Sequence, residues 1–257
     1  LETLEGKINL LSINQLPFSG SSWGKHLTCD LSETVKGEFS NHFVDSSDWI
    51  EMEKAYLNAL EDLFLQFPQA EPSLFRQLSE LIPDGSHVYT GNSLPIREWD
   101  LGAVNYPKKF EVTASRGLSG IDGQLSTFLG LSTPGKENWC ILGDLTALYD
   151  FAGYWVLQQL SNISCHIVIV NNGGGKIFRP MYPQAILQNP HEHTFEPMAR
   201  FWGIPYERWE KVPENRGQHL PITFIELVPD DPSTLEFHKN HKQIIENPCL
   251  HTACTAF

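Results

Sequence analysis

Trp139-Cys140-Ile141-Leu142 runs directly into Gly143-Asp144-Leu145-Thr146, and Cys165-His166-Ile167-Val168-Ile169-Val170 runs directly into Asn171-Asn172-Gly173-Gly174-Gly175. Each is a short apolar run suited to a strand buried on both faces, closed by turn-forming residues. The stretch from Thr146 to Val170 holds one helix and the following strand. Parallel strands need such a crossover, so both loops are expected at the same sheet edge, on neighbouring strands. Ligands of parallel sheets bind beyond the carboxyl ends of the strands, which is where these loops fall.

The same rhythm extends outward. His87–Thr90, Phe110–Thr113 and Ile222–Leu227 read as further strands. Helices are expected over Ser93–Trp99, Gly120–Leu131, Thr146–Leu160 and Phe195–Trp202. Upstream, Ser46-Ser47-Asp48 is a capping cluster. Trp49, Ile50, Tyr56, Leu57, Leu60, Leu63 and Phe64 follow it at helical spacing. A second helix is expected from Pro72 to Ile82, stopped by Pro83-Asp84-Gly85. Alternating strands and helices predict an α/β fold, a doubly wound parallel sheet with helices on both faces. Lys7–Ile13 reads as an isolated strand. Residues 14–45 lack a clear period, and the tail after Lys239 is polar and weakly patterned.

The chain has 257 residues, 18 Lys and Arg, 31 Asp and Glu, and a net charge of −13. Such a surface repels phosphate backbones and anionic lipid, so neither nucleic acid nor membrane is expected as a partner. No apolar run is long enough to span a bilayer. Cys29, Cys140, Cys165, Cys249 and Cys254 are odd in number and irregularly spaced. That is no disulfide framework and suits a reducing, cytoplasmic setting. No secretory leader is visible, and an opening of Leu1-Glu2-Thr3 leads us to expect either a leader already removed or a piece of a longer polypeptide.

The two loops carry the chemistry. A carboxylate at Asp144, an amide oxygen at Asn172 and glycine carbonyls are hard oxygen donors that suit Mg²⁺. Backbone N–H groups at the start of the Thr146 helix and in the glycine run suit a diphosphate bridged by that ion. Either loop alone is an ordinary strand-end turn; the pair at one edge favours a binding site. Arg97 and Arg116 follow strands at the same edge, and each can grip a carboxylate with two parallel hydrogen bonds.

Gly-Asp followed by Asn-Asn at this separation resembles the thiamine-diphosphate signature. Gly143 through Asp150, Ser115-Arg116-Gly117-Leu118-Ser119-Gly120-Ile121-Asp122-Gly123, Gly91-Asn92-Ser93-Leu94 with Arg97, and Asn171 through Gly175 with Ile177-Phe178 together resemble the MenD family. These are the 2-succinyl-5-enolpyruvyl-6-hydroxy-3-cyclohexene-1-carboxylate synthases of menaquinone biosynthesis. The likeness runs from about residue 70 to residue 228. It implies the thiamine-diphosphate-binding fold, here its pyrophosphate-binding domain over residues 51–235. Residues 1–50 would be the remnant of a preceding domain and linker, and 236–257 a tail.

The resemblance implies thiamine diphosphate with Mg²⁺, or Mn²⁺ in its place. Metal ligation falls on Asp144, Asn172 and the Gly174 carbonyl. Cofactor contacts fall on Ser119, Gly120, Ile121, Asp122, Gly143, Leu145, Thr146 and Ile177, with Ile121 as the apolar prop of the bent cofactor. Substrate contacts fall on Ser93, Arg97, Arg116 and Phe178. The implied reaction decarboxylates 2-oxoglutarate and adds the succinyl carbanion equivalent to isochorismate, in a homodimer or homotetramer. The activating Glu of the family belongs to a separate N-terminal domain, so no catalytic residue is assigned. Leu145 replaces the third glycine of the general signature, and Gly173 and Lys176 stand where relatives often have Asn and Gln. Alternatives are an inactive Mg²⁺–diphosphate-binding module or an acetolactate-synthase-like decarboxylase; no Gly-x-Gly-x-x-Gly supports a dinucleotide reader.

Three other clusters read as structural. His191-Glu192-His193 is expected to be a solvated loop. Cys249, His251 and Cys254, with His238 and His241, lack zinc spacing and are expected in a frayed tail. Trp202, Tyr206 and Trp209 are expected in the core or an interface.

Overall fold

A computed structural model describes residues 11–14, 23–28, 47–104, 107–115, 120–182, 184–216 and 220–246. Contacts divide the chain into two units, Leu1–Ser46 and Ser47–Phe257. In the first, strand β1 (Leu11–Asn14) pairs in parallel with β2 (Lys25–Thr28). Residues 7–10 of the expected first strand lie outside the described residues.

The second unit opens with helices α1 (Ser47–Gln66) and α2 (Glu71–Leu81). Then follow β3 (His87–Thr90), α3 (Leu94–Gly102), β4 (Glu111–Thr113), α4 (Gln124–Leu131), β5 (Glu137–Gly143) and α5 (Asp144–Tyr149). After β6 (Ser164–Val170) come α6 (Glu196–Trp202), β7 (Tyr206–Trp209), β8 (Ile222–Leu227) and α7 (Asp231–Glu246). Six strands form one all-parallel sheet in the order β4-β3-β5-β6-β8-β7.

Successive strand residues point to opposite faces, and the core divides accordingly. Cys140, Leu142, Ile167, Ile169 and Phe224 pack with Phe128 of α4 and Ala199 of α6. Trp139, Ile141, Val168, Val170 and Ile225 pack with Leu74 and Leu78 of α2 and Trp99 of α3. Helices therefore cover both faces, as the alternation of strand and helix predicts. A third cluster joins Leu60 and Phe64 of α1 to Phe237 and Ile244 of α7.

Strand β7 falls where no strand is expected, and two further elements differ from expectation. The long helix expected over Thr146–Leu160 stops at Tyr149 and continues as a 3-10 helix, Phe151–Gln159. The Asp150 carboxylate accepts from Ser126 N at 2.8 Å and faces Ser126 Oγ at 3.0 Å, which holds the chain out of α geometry. Gly153 permits the close approach, because a Cβ there would lie 2.7 Å from Ser126 Oγ. The polar stretch beyond Lys239 is also helical as far as Glu246, because α7 buries Phe237 and Ile244 against α1. Trp202 and Trp209 pack against the two faces of the core, as expected of them.

Candidate functional site

The register of the central strands pairs Gly143 with Val170 as the last residues of β5 and β6. Asp144 and Asn171 therefore leave the sheet side by side, as the sequence predicts. After β3 the chain turns outward to β4 and then returns across β3 to β5, so the winding direction reverses between β3 and β5. A cleft of about 510 Å³ opens at this switch point.

Asp144 is almost fully buried, with its side chain 3% exposed. Its Oδ1 accepts from Leu145 N at 2.6 Å, and its Oδ2 accepts from Gly173 N at 2.9 Å and Gly174 N at 2.8 Å. Burial pushes the Asp144 pKa above the usual carboxylate range, against these N–H bonds and the nearby His191. Gly174 has φ +134°, and a Cβ there would meet Gln188 O at 2.5 Å. Only glycine lets the loop pass so close to that segment while presenting its N–H to Asp144.

The adjacent asparagines are held differently. Asn171 spends its Nδ2 donors on His193 O at 2.8 Å and Glu226 Oε1 at 2.7 Å. Asn172 donates Nδ2 to Glu71 Oε2 at 2.9 Å, while its buried Oδ1 has no partner among the described residues.

On the β3 side, Gly91 is forced by contact, since a Cβ would lie 3.0 Å from Leu142 Cδ2 and 3.1 Å from Ile141 O. Asn92 N donates to Gln124 Oε1 at 2.8 Å, and Asn92 Nδ2 and Gln124 Nε2 both donate to Gly120 O, at 2.7 and 2.9 Å. This clamp brings Gly120, Ile121 and Asp122 to the cleft wall. Ser93, at the start of α3, has φ +76° and ψ −130°, a strained backbone for a residue with a Cβ. Its carbonyl accepts from Arg97 NH1 at 2.7 Å.

Ser93 and Arg97 line the cleft, and so do Gly143, Asp144, Leu145 and Thr146. The glycine-rich side adds Asn172, Gly174, Ile177 and the half-exposed Phe178. Arg116 and Ser119 lie outside the described residues, as do Cys249, His251 and Cys254. Among the described residues, no group of three or more His, Cys, Asp and Glu is placed to hold a metal. The oxygen set formed by Asp144, Asn172 and the Gly174 carbonyl contains a single carboxylate, and the unpartnered Asn172 Oδ1 is chemically suited to a hard cation.

Sequence reasoning did not anticipate three groups. Glu71, in the first turn of α2, lines the cleft although it reads as an ordinary helix-start carboxylate. Burial, then the like charge of Glu98, push its pKa up to about 8, with Asn172 opposing. His191 is not solvated as expected: its side chain is 7% exposed, and Nε2 lies 3.1 Å from Asp144 Oδ2. The loop from Gln188 to His191 packs back on the glycine run, through Gly175 N to Gln188 O and His191 N to Gly173 O, and carries the ring inward. His193 does remain exposed. Lys176 and Arg179 both pair with Asp231 at the start of α7, at 2.5 and 2.9 Å. Burial opposes ionisation of Asp231, but these two cations hold its pKa below the usual range.

Fold and cleft together define a doubly wound α/β domain with a ligand site at the carboxyl edge of its parallel sheet. In sequence the chain is similar to curated proteins named 2-succinyl-5-enolpyruvyl-6-hydroxy-3-cyclohexene-1-carboxylate synthase. The protein of Bdellovibrio bacteriovorus is 42% identical over 185 residues, covering 71% of this chain and 35% of the relative. That of Akkermansia muciniphila is 34% identical over 200 residues, 71% of this chain and 37% of the relative. That of Oceanobacillus iheyensis is 31% identical over 219 residues, 79% of this chain and 37% of the relative. The matches thus span little more than a third of these relatives' length. No family model matches the chain. Among the described residues, no helix is long and apolar enough to cross a membrane.

Proposed function

We propose that the chain is the Mg²⁺–thiamine-diphosphate-binding part of a synthase that decarboxylates 2-oxoglutarate and joins the succinyl unit to isochorismate, in menaquinone biosynthesis. The observation that carries this reading is that Asp144 and Asn172, whose buried Oδ1 has no partner among the described residues, follow paired strand ends and line one cleft. The similarity to named synthases supports it. When bound, thiamine diphosphate supplies the carbanion chemistry; the protein supplies position and charge.

Asp144, Asn172 and the Gly174 carbonyl would hold the cation that accompanies the diphosphate. Leu145 and Thr146 at the start of α5, with Ser119, Gly120 and Asp122, receive the diphosphate end. Ile121 and Ile177 give apolar support to the rings, and Gly143 allows close backbone approach. Ser93, Arg97, Arg116 and Phe178 would bind substrate, the arginines neutralising its carboxylates in a chain of net charge −13. Titration calorimetry of thiamine diphosphate with and without Mg²⁺ tests the reading; heat of binding that is indifferent to Mg²⁺ overturns it.

Arg97 acts on substrate rather than cofactor. Losing a charge-assisted contact to a carboxylate costs about 1.5–3 kcal/mol. Arg97→Ala in the complete synthase is expected to lower kcat/KM by roughly tenfold or more, with cofactor affinity nearly intact. A fall in cofactor affinity instead would move Arg97 to the diphosphate site.

The second reading is a Mg²⁺–diphosphate-binding module that is silent on its own. The chain incubated with Mg²⁺, thiamine diphosphate and carboxyl-labelled 2-oxoglutarate is expected to bind cofactor and release no label. Release well above a boiled control would show that the chain carries its own activating carboxylate.

A further inference from the structure

We propose that Glu71 is a positioning residue: its carboxyl holds the Asn172 amide by Nδ2, leaving Oδ1 for a divalent cation in the cleft. The inference rests on the reading of Asp144, Asn172 and Gly174 as the cation site and adds a residue to it.

Glu71 is 2% exposed. Its backbone is anchored from another element, since Glu71 N donates to Thr234 Oγ1 of α7 at 3.0 Å, and that hydroxyl donates to Asp230 O at 2.8 Å. From this fixed base Oε2 accepts from Asn172 Nδ2 at 2.9 Å. A primary amide has a donor end and an acceptor end, and Glu71 Oε2 accepts from the donor end. Glu71 therefore decides which end of Asn172 is left over. The end left over is buried and unpartnered, a costly arrangement for an amide oxygen unless it serves a ligand. Asn171 shows the contrast: its amide is tied to Glu226 and to a backbone carbonyl, so it serves the fold. Outer groups that orient metal ligands in this way carry much of a site's affinity.

The test is titration of Mn²⁺ with thiamine diphosphate into the purified protein, read by the loss of the free Mn²⁺ electron-resonance signal. Wild type, Glu71→Gln and Glu71→Leu are compared. Glutamine keeps an acceptor for Asn172 Nδ2 and is expected to bind Mn²⁺ within about threefold of wild type, whereas leucine is expected to weaken binding by about 10–100-fold. Circular dichroism checks that both variants fold, and Glu71→Met replaces Glu71→Leu if the latter does not. Wild-type affinity in the leucine or methionine variant overturns the proposal. So does an equal loss in Glu71→Gln, which would make charge rather than amide orientation the cause. Absence of Mn²⁺ binding by the wild type would instead overturn the underlying reading of the cation site.

Discussion

Asp144→Asn removes Mg²⁺-dependent binding of thiamine diphosphate. Among Asp144, Asn172 and Gly174, Asp144 is the only anionic donor, and Mg²⁺ gives up its water reluctantly. Outer groups alone are worth about 10–100-fold in metal affinity, so loss of the sole anionic ligand is expected to exceed about 100-fold. Asparagine is the informative replacement because it retains an acceptor for Gly173 N and Gly174 N. Alanine would leave both glycine N–H groups without their acceptor, and each lost partner costs about 1–3 kcal/mol, which confuses binding with folding. Calorimetry at fixed Mg²⁺, paired with a ligand-free melting curve, separates the two. Unchanged cofactor affinity in Asp144→Asn would remove Asp144 from the metal site.

Glu226→Ala should produce the largest loss of stability. Glu226 sits fully buried on β8 and accepts four contacts: Asn171 Nδ2, Phe195 N, the Tyr206 hydroxyl at 2.6 Å, and the Arg208 guanidinium at 3.1 Å. Burial and the Glu226 carboxylate push the Tyr206 hydroxyl pKa up, so it stays an O–H donor. Alanine leaves those donors facing a cavity. Breaking such a buried network costs about 3–5 kcal/mol. Arg208→Ala is expected to cost less than Glu226→Ala, because Asn171, Phe195 and Tyr206 still donate to the buried carboxylate. Urea unfolding of both variants checks the contrast. Comparable small losses in the two would show that Glu226 is not the anchor of this corner.

Much of the scaffold was legible because buried parallel strands write themselves as apolar runs. Trp139–Leu142 and Cys165–Val170 needed no other signal, and the neighbouring loops followed from the crossover between them. The core positions of β3 and β8 were legible for the same reason, whereas β7 was not, because Glu207 and Arg208 interrupt any apolar run. Other features depend on tertiary contacts that leave no local pattern. Phe237 and Ile244 are seven residues apart, a helical spacing, but with only Leu235 and Ile245 beside them among polar residues the period is weak. The break after Tyr149 depends on Asp150 meeting Ser126, a contact made only once α4 is in place. Glu71 illustrates the limit best. An acidic residue before proline at a helix start is commonplace on the surface, and nothing in Ala70-Glu71-Pro72 reveals that Thr234 and Asn172 will close over it. His191 is similar, since a histidine between proline and glutamate gives no sign that its loop folds back on the glycine run.

The winding order of the sheet has a kinetic consequence. Every hydrogen-bonded pair among its six strands is parallel; each except β7–β8 closes a loop containing at least one intervening element, and β8 must insert between β6 and β7. Contacts this remote in sequence form late and slowly. The cleft draws on residues from Glu71 to Phe178 and exists only when the central strands have already docked. A molecule that fits it meets its binding surface after the rate-limiting barrier, and so prolongs the life of the finished protein without hastening its formation.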